Sequence, residues 1–203
     1  VNLGNALLAK GEVDAAIAHY GKALRAQPDL FAAEEALGFA LDRLGRHDEA
    51  IAHFRRALLL RPDYAAPHLS LGIALSATGA FDEAIAQLNE ALRLKPDLPE
   101  AYIPLAIALM ARGRTAEAIE RYEQALRLRP DNAVALNNLG LALAKMNRLP
   151  EAIDRFEAAV KINPGFASAH NNLGVALTQM NRVPEAIAEF EQAVRIDPGF
   201  ERA

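Results

Sequence analysis

The sequence predicts an all-α solenoid of stacked antiparallel helix pairs, and three observations carry that prediction. The first is a strict period: Pro28, Pro62, Pro96, Pro130, Pro164 and Pro198 stand 34 residues apart, with no insertion between them. The second is a skeleton that recurs with the period. Leu173-Gly174, Ala176-Leu177, Pro184-Glu185-Ala186-Ile187, Phe190 and Ala193 return one period earlier as Leu139-Gly140, Ala142-Leu143, Pro150-Glu151-Ala152-Ile153, Phe156 and Ala159. The third is the helical spacing of apolar residues, as in Leu37 and Leu41 and again in Ile51, Phe54 and Leu58. A fixed period of this length marks supersecondary units that bury their apolar faces by stacking on one another.

Taken in order, the chain opens inside a repeat. Val1-Asn2-Leu3-Gly4 corresponds to Asn171-Asn172-Leu173-Gly174, so residues 1–30 read as an incomplete first unit. The chain begins without a methionine and reads as an excerpt of a longer polypeptide. Complete units follow at 31–64, 65–98, 99–132, 133–166 and 167–200, and residues 201–203 begin another. In the second unit the two helices are expected at about Ala32 to Leu44 and about His47 to Leu60. Between paired helices stands Gly11, Gly45, Gly79, Gly113, Asn147 or Asn181, the residue types that accept a left-handed conformation after a helix end. The second helix opens with acid (Glu49, Glu83, Glu117, Glu151, Glu185), and Pro150 and Pro184 suit its first position, where no backbone donor is lost. Arg25, Arg61, Arg93, Arg127, Lys161 and Arg195 fall near its end, facing the opposite pole of the helix dipole. Each repeat then stops at its proline.

Small residues set how closely the helices cross. Gly4, Gly38, Gly72, Gly140 and Gly174 lie on first helices, with Ala106 in their place in the fourth unit. Ala16, Ala50, Ala84, Ala118, Ala152 and Ala186 lie on second helices, and Tyr20, Phe54, Leu88, Tyr122, Phe156 and Phe190 are their large partners. Pro104 falls inside a first helix and removes the amide that would reach the carbonyl of Glu100, so a late start or a kink is expected there.

Composition narrows the function. Hydrophobic residues make up 52% of 203, ample for a core, and the net charge of −4 supplies no basic stripe for nucleic acid. The absence of cysteine removes disulfides and thiolate chemistry. Charge or proline interrupts every apolar stretch before the roughly 20 residues a membrane span needs. The compartment stays open, with the cytoplasm favoured. His19 and His53 stand one period apart without an evident third ligand, so no metal site is expected. Glu117 with Arg121 and Glu151 with Arg155 have the spacing of exposed helix pairs. No phosphate loop, nucleophile elbow or metalloprotease motif occurs, which leaves no catalytic residue and no cofactor to assign.

These repeats resemble the tetratricopeptide family along the whole chain. Tryptophan, frequent early in the family's first helix, is replaced here by Glu34, His68, Tyr102, Leu136 and His170. The resemblance implies a right-handed superhelix whose first helices line a concave groove for a protein or peptide. By position, that lining is Asn2, Asn5 and Leu8, then Glu35, Phe39 and Asp42, then Leu69, Ser70, Ile73 and Ser76. It continues with Ile103, Ile107 and Met110, then Asn137, Asn138 and Leu141, and finally Asn171, Asn172 and Val175. The middle units offer an apolar stripe and the flanking units offer asparagine. The stripe reads either as a binding surface or as the inside of a tightly wound superhelix, and the asparagines either as ligands for a peptide or as the trace of a duplication. In the superhelix of O-linked N-acetylglucosamine transferase, asparagine at the position of Asn2, Asn138 and Asn172 forms a ladder along a peptide backbone; Ala36, Ser70 and Pro104 break that ladder here. The lysine, asparagine and arginine clamp of chaperone-binding relatives is absent.

The reading that follows is a non-catalytic scaffold binding an extended peptide or a partner helix, without nucleic acid and without membrane insertion. A substrate-recruiting arm of an enzyme such as a glycosyltransferase is the alternative. A structural solenoid that self-associates end to end is the third, motivated by Ile187, Phe190, Val194 and Ile196 on the last helix.

Overall fold

The computed structural model describes residues 1–199, which form helices and short turns without a strand. The helices run in the order α1 (Asn2–Ala9), α2 (Val13–Ala26), α3 (Phe31–Arg43), α4 (His47–Leu60), α5 (Ala65–Ala77) and α6 (Phe81–Leu94). They continue as α7 (Pro99–Ala111), α8 (Thr115–Leu128), α9 (Ala133–Lys145), α10 (Leu149–Ile162), α11 (Ala167–Gln179) and α12 (Val183–Ile196). The fold is the all-α solenoid of helix pairs expected from the period. Tertiary contacts divide it into two compact units, Val1–Ala108 and a second that starts at Leu109. In the first, α1 packs on α2, α3 on α4 and α5 on α6, with α2 against α3 and α4 against α5. In the second, α9 packs on α10 and α11 on α12, with α8 against α9 and α10 against α11.

Local chemistry explains how the helices end. A first helix ends when the next residue but one turns left-handed, at Gly45 with φ 73° and, without glycine, at Asn147 with φ 59° and Asn181 with φ 60°. The chain then closes a Schellman-type pair of hydrogen bonds: Arg46 N–H donates to the Leu41 carbonyl at 3.0 Å and Gly45 N–H to the Asp42 carbonyl at 2.9 Å. The same pattern recurs at Arg148 and Arg182, whose amides reach Leu143 and Leu177. Second helices end for another reason. The residue before a proline is pushed out of the helical region, and Gln27, Arg61 and Lys95 accordingly sit at φ near −142° with ψ of 86° to 93°.

The glycines on first helices are notches for the large residues of second helices. A Cβ added to Gly38 would lie 2.7 Å from the Phe54 ring, one on Gly72 2.6 Å from Leu88, and one on Gly140 2.5 Å from Phe156. Each of those large side chains is fully buried, a contribution of about 1.5–3 kcal/mol apiece. The partners of the large residues are thus the glycines opposite, as well as the alanines beside them.

Two expectations are corrected. Pro104 does not delay the start of α7, which begins at Pro99 and continues past it. Only one hydrogen bond of the helix is forfeited, near its start, and the fully buried Ala101 and Leu105 on either side hold the segment in place. The acids of the second helices take their hydrogen bonds from behind, and Arg121 and Arg155 act on Glu117 and Glu151 through charge alone. Glu117 takes a bidentate grip from Arg114 at 2.6–2.7 Å and Glu151 from Arg148 at 2.5–2.7 Å. The arginine just before the helix is three residues back and its fork matches both carboxylate oxygens, so it wins over a partner one turn on. Pro150 and Pro184 occupy the second residue of their helices, still within the turn that needs no donor.

Candidate functional site

First helices carry one exposed apolar side chain per repeat at a fixed position: Phe39 at 48% exposure, Ile73 at 39%, Ile107 at 44%, Leu141 at 42% and Val175 at 44%. Their neighbours one residue to either side, such as Gly38 and Ala40, are buried, so the helix presents a ridge there rather than a frayed surface. Asn5 takes the same position in the first repeat and is also exposed.

In the first unit, Asn2 and Asn5 are exposed on α1, while Leu69 on α5 and Ile103 on α7 are half-buried beside the ridge. Asn5 and Phe39 meet Leu8, Glu35, Ala36 and Ser70 around a hollow of about 420 Å³ between α1, α3 and α5. Tyr20 donates its hydroxyl to Asn5 Oδ1 at 2.7 Å and thereby fixes the amide, leaving Asn5 Nδ2 as a donor. Glu35 is the one charged side chain in that lining. Burial pushes its carboxyl above the usual range, and Arg61 pulls it back in part. Two other acids of α3 are spent within the chain: Asp42 meets His47 Nδ1 at 2.8 Å, and the buried Glu34 meets His53 Nδ1 at 2.5 Å. His53 therefore does have an acidic neighbour, which the sequence did not reveal because the two stand 19 residues apart.

In the second unit, Met110, Asn138, Asn171 and Asn172 are half-buried, and Leu141 and Val175 are exposed. Asn137 is different, at 5% exposure. It accepts from Asn172 Nδ2 at 2.9 Å, across one repeat, and donates to Asn138 Oδ1 at 3.3 Å. Tyr122 completes the chain with a hydrogen bond to Asn138, and burial, opposed by that bond, pushes its hydroxyl up to about 12. Asn137 is therefore a brace beneath the surface, and Asn138 and Asn172 stand at the surface in orientations it fixes.

Sequence reasoning missed this polar network, although a signal was present: Tyr20 and Tyr122 bring hydroxyls into a column otherwise filled by Phe and Leu. It also missed a tie between repeats. His68 Nε2 meets the Pro62 carbonyl at 2.9 Å, Tyr102 donates to Pro96 O at 2.8 Å, and His170 Nε2 meets Pro164 O at 3.0 Å. The column where the family has tryptophan thus holds the last turn of the preceding repeat. The opposite nitrogens of His68 and His170 meet Gln87 at 2.7 Å and Glu189 at 2.6 Å.

A family model, that of the cilia and flagella-associated protein 70 C-terminal domain, matches residues 1–202. The chain belongs to this tetratricopeptide-repeat family. No curated protein matches it by sequence. Among solved structures it is similar to PilF of Pseudomonas aeruginosa, at 22% identity over 98% of this chain and 90% of that one, with a TM-score of 0.83. It is similar also to YrrB, described as a TPR protein with an unusual peptide-binding site, at 22% identity over 88% and 92% with a TM-score of 0.73. A MamA structure aligns at 26% identity over 82% and 98% with a TM-score of 0.75. The tetratricopeptide fold is of a type typical of protein–protein interaction. No helix among the described residues is long and apolar enough to cross a membrane.

Proposed function

We propose that this tetratricopeptide array is a non-catalytic scaffold whose first helices hold an extended peptide or an amphipathic helix of a partner protein. The observation that carries the reading is the column Phe39, Ile73, Ile107, Leu141 and Val175, open to solvent in every complete repeat although helix packing does not require it. Its apolar area contributes affinity at about 25 cal/mol per Å² removed from water, while Asn138 and Asn172 supply amides that pair with peptide backbone. The peptide-binding description of YrrB, a protein of the same architecture, points the same way.

One extended and one helical ligand, both selected from displayed peptide libraries, test it by calorimetry. Ile73→Asp with Ile107→Asp abolishes binding of both, since each places a charge where water is to be excluded. Asn138→Ala with Asn172→Ala weakens the extended ligand and spares the helical one, whose backbone is already paired. Equal losses for both ligands, or no loss for either, would show the asparagines to be remnants of duplication.

End-to-end association is a second reading, favoured by positions that interior repeats bury. Leu3 is 57% exposed where Leu37, Leu71 and Leu105 are at most 6%, and Ile187 is 53% exposed where Ile51, Ile85, Ile119 and Ile153 are at most 7%. A second copy stacked head to tail covers both. Sedimentation equilibrium of concentrated protein checks this, with Ile187→Glu restoring the monomer; a strict monomer before the substitution excludes it.

A further inference from the structure

We propose that the hollow between α1, α3 and α5 takes a lysine or arginine side chain of an extended peptide, with Glu35 as its counter-ion. This rests on the peptide-binding reading and narrows it to one class of ligand. Along the first helices, the position of Glu35 is held by Val1, Leu69, Ile103, Asn137 and Asn171, so the charge is unique in its column. Glu35 is half-buried, and among the described residues it has neither a hydrogen bond nor an ion pair. Arg61 is held 4.9 Å above the Phe31 ring and acts on Glu35 through its charge, without a hydrogen bond or ion pair.

A carboxylate removed from water without a donor is destabilised, and a cation brought to it recovers that loss through a charge-assisted hydrogen bond. An anionic ligand would add repulsion, and a neutral amide would recover less. The lining suits a long cationic side chain in particular. Phe39 and Leu8 offer apolar surface to its methylenes, and Ala36 and Ser70 are small enough to leave it room. On the other side of Glu35 lies a second hollow of about 540 Å³, lined by Glu35 itself, by Asp29 and Arg61, and by the Phe31 and Tyr64 rings, which meet edge to face at 5.2 Å. Arg61 already takes the face of Phe31 there, but Asp29 and Glu35 together outnumber it, so the charge of the lining still favours an added cation. Asn5 Nδ2, left free when Tyr20 takes Oδ1, is placed to hold a backbone carbonyl of the same peptide.

The test is a positional-scanning library of blocked octapeptides in which one position at a time is fixed as Lys, Arg, Glu or Ala. Binding is read by fluorescence polarisation on wild type, E35Q, E35K and F39D, each first shown to keep its helical circular-dichroism spectrum. Pools with a fixed Lys or Arg at one position are expected to bind wild type on the order of tenfold more tightly than the Ala pools. E35Q erases that preference while still binding the Ala pools, and E35K transfers it to Glu. Peptide binding that F39D weakens but that shows no basic preference, or a preference that survives in E35Q, overturns this inference and leaves the groove intact. Failure of every pool to bind wild type, or binding that F39D leaves unchanged, removes the groove reading and this inference with it.

Discussion

Glu35 and Asn137 occupy the same position three repeats apart, and the two units treat them in opposite ways. Asn137 is sunk to 5% exposure and bonded on both sides, whereas Glu35 is half-buried with no hydrogen-bond partner among the described residues. The cause is in the neighbouring columns. Asn138 and Asn172 flank Asn137 with amides, while the residues at the same places around Glu35 are Ala36, which cannot bond, and Ser70, which is short. Repeat geometry therefore fixes where a side chain stands, and its neighbours decide whether its polar atoms are consumed internally or left for a ligand. The first unit presents apolar surface with one acid that no hydrogen bond satisfies; the second presents amides held rigid by one another.

The largest expected effect tests whether the units are separable. Gly140→Leu drives a side chain into the buried Phe156 ring and costs about 1–3 kcal/mol. Hydrogen exchange should locate the loss in α9, α10 and their immediate neighbours, because repeats touch only the next in line. A uniform loss of protection across the chain would mean that the array melts as one body. Next in size is Asn137→Leu, which gives the second unit the residue the first has at Leu69. It strands the Asn172 donor and costs about 1–2 kcal/mol in urea unfolding. A double-mutant cycle with Asn172→Ala should show coupling; strict additivity would deny the brace.

Smaller still is the effect of Glu35→Gln on stability, and its sign follows from the raised carboxyl. A carboxyl that titrates higher in the fold than in the unfolded chain binds more protons when folded, so stability falls as pH rises from the usual glutamate range through the raised value. Thermal melts of E35Q should match wild type at acid pH and exceed it at neutral pH; a difference without pH dependence would show that the acid is not desolvated. The least effect belongs to Arg148→Ala. Its grip on Glu151 is short but lies at the surface, with both side chains about half exposed, and melting should be unchanged within error.

The helices were legible because proline, glycine and the apolar spacing each act within one repeat. The second helix of the repeat at 31–64 was placed at His47–Leu60, where it stands, and its first helix fell within one residue at each end. Pro104 misled because propensity speaks of an isolated helix, whereas tertiary packing of Ala101 and Leu105 holds this one. The positions of the surface residues could be carried over by register. What the register could not convey was bonding, since Tyr20 with Asn5, Glu34 with His53 and Asn137 with Asn172 join residues 15, 19 and 35 apart. Hydrogen bonds of that range depend on which pairs of columns hold a donor and an acceptor together.

The side chains that hold the proline carbonyls also bear on how the array comes apart. His68, Tyr102 and His170 each clasp the turn that precedes them, but Glu34 and Leu136 in the same column cannot donate a hydrogen to Pro28 and Pro130. A chain of nearest-neighbour couplings breaks at its weakest link. Partly unfolded forms should therefore end between α2 and α3 and between α8 and α9 rather than at random. Native-state hydrogen exchange at low denaturant would find the cooperative segments divided there, and Leu136→His would move the second division elsewhere.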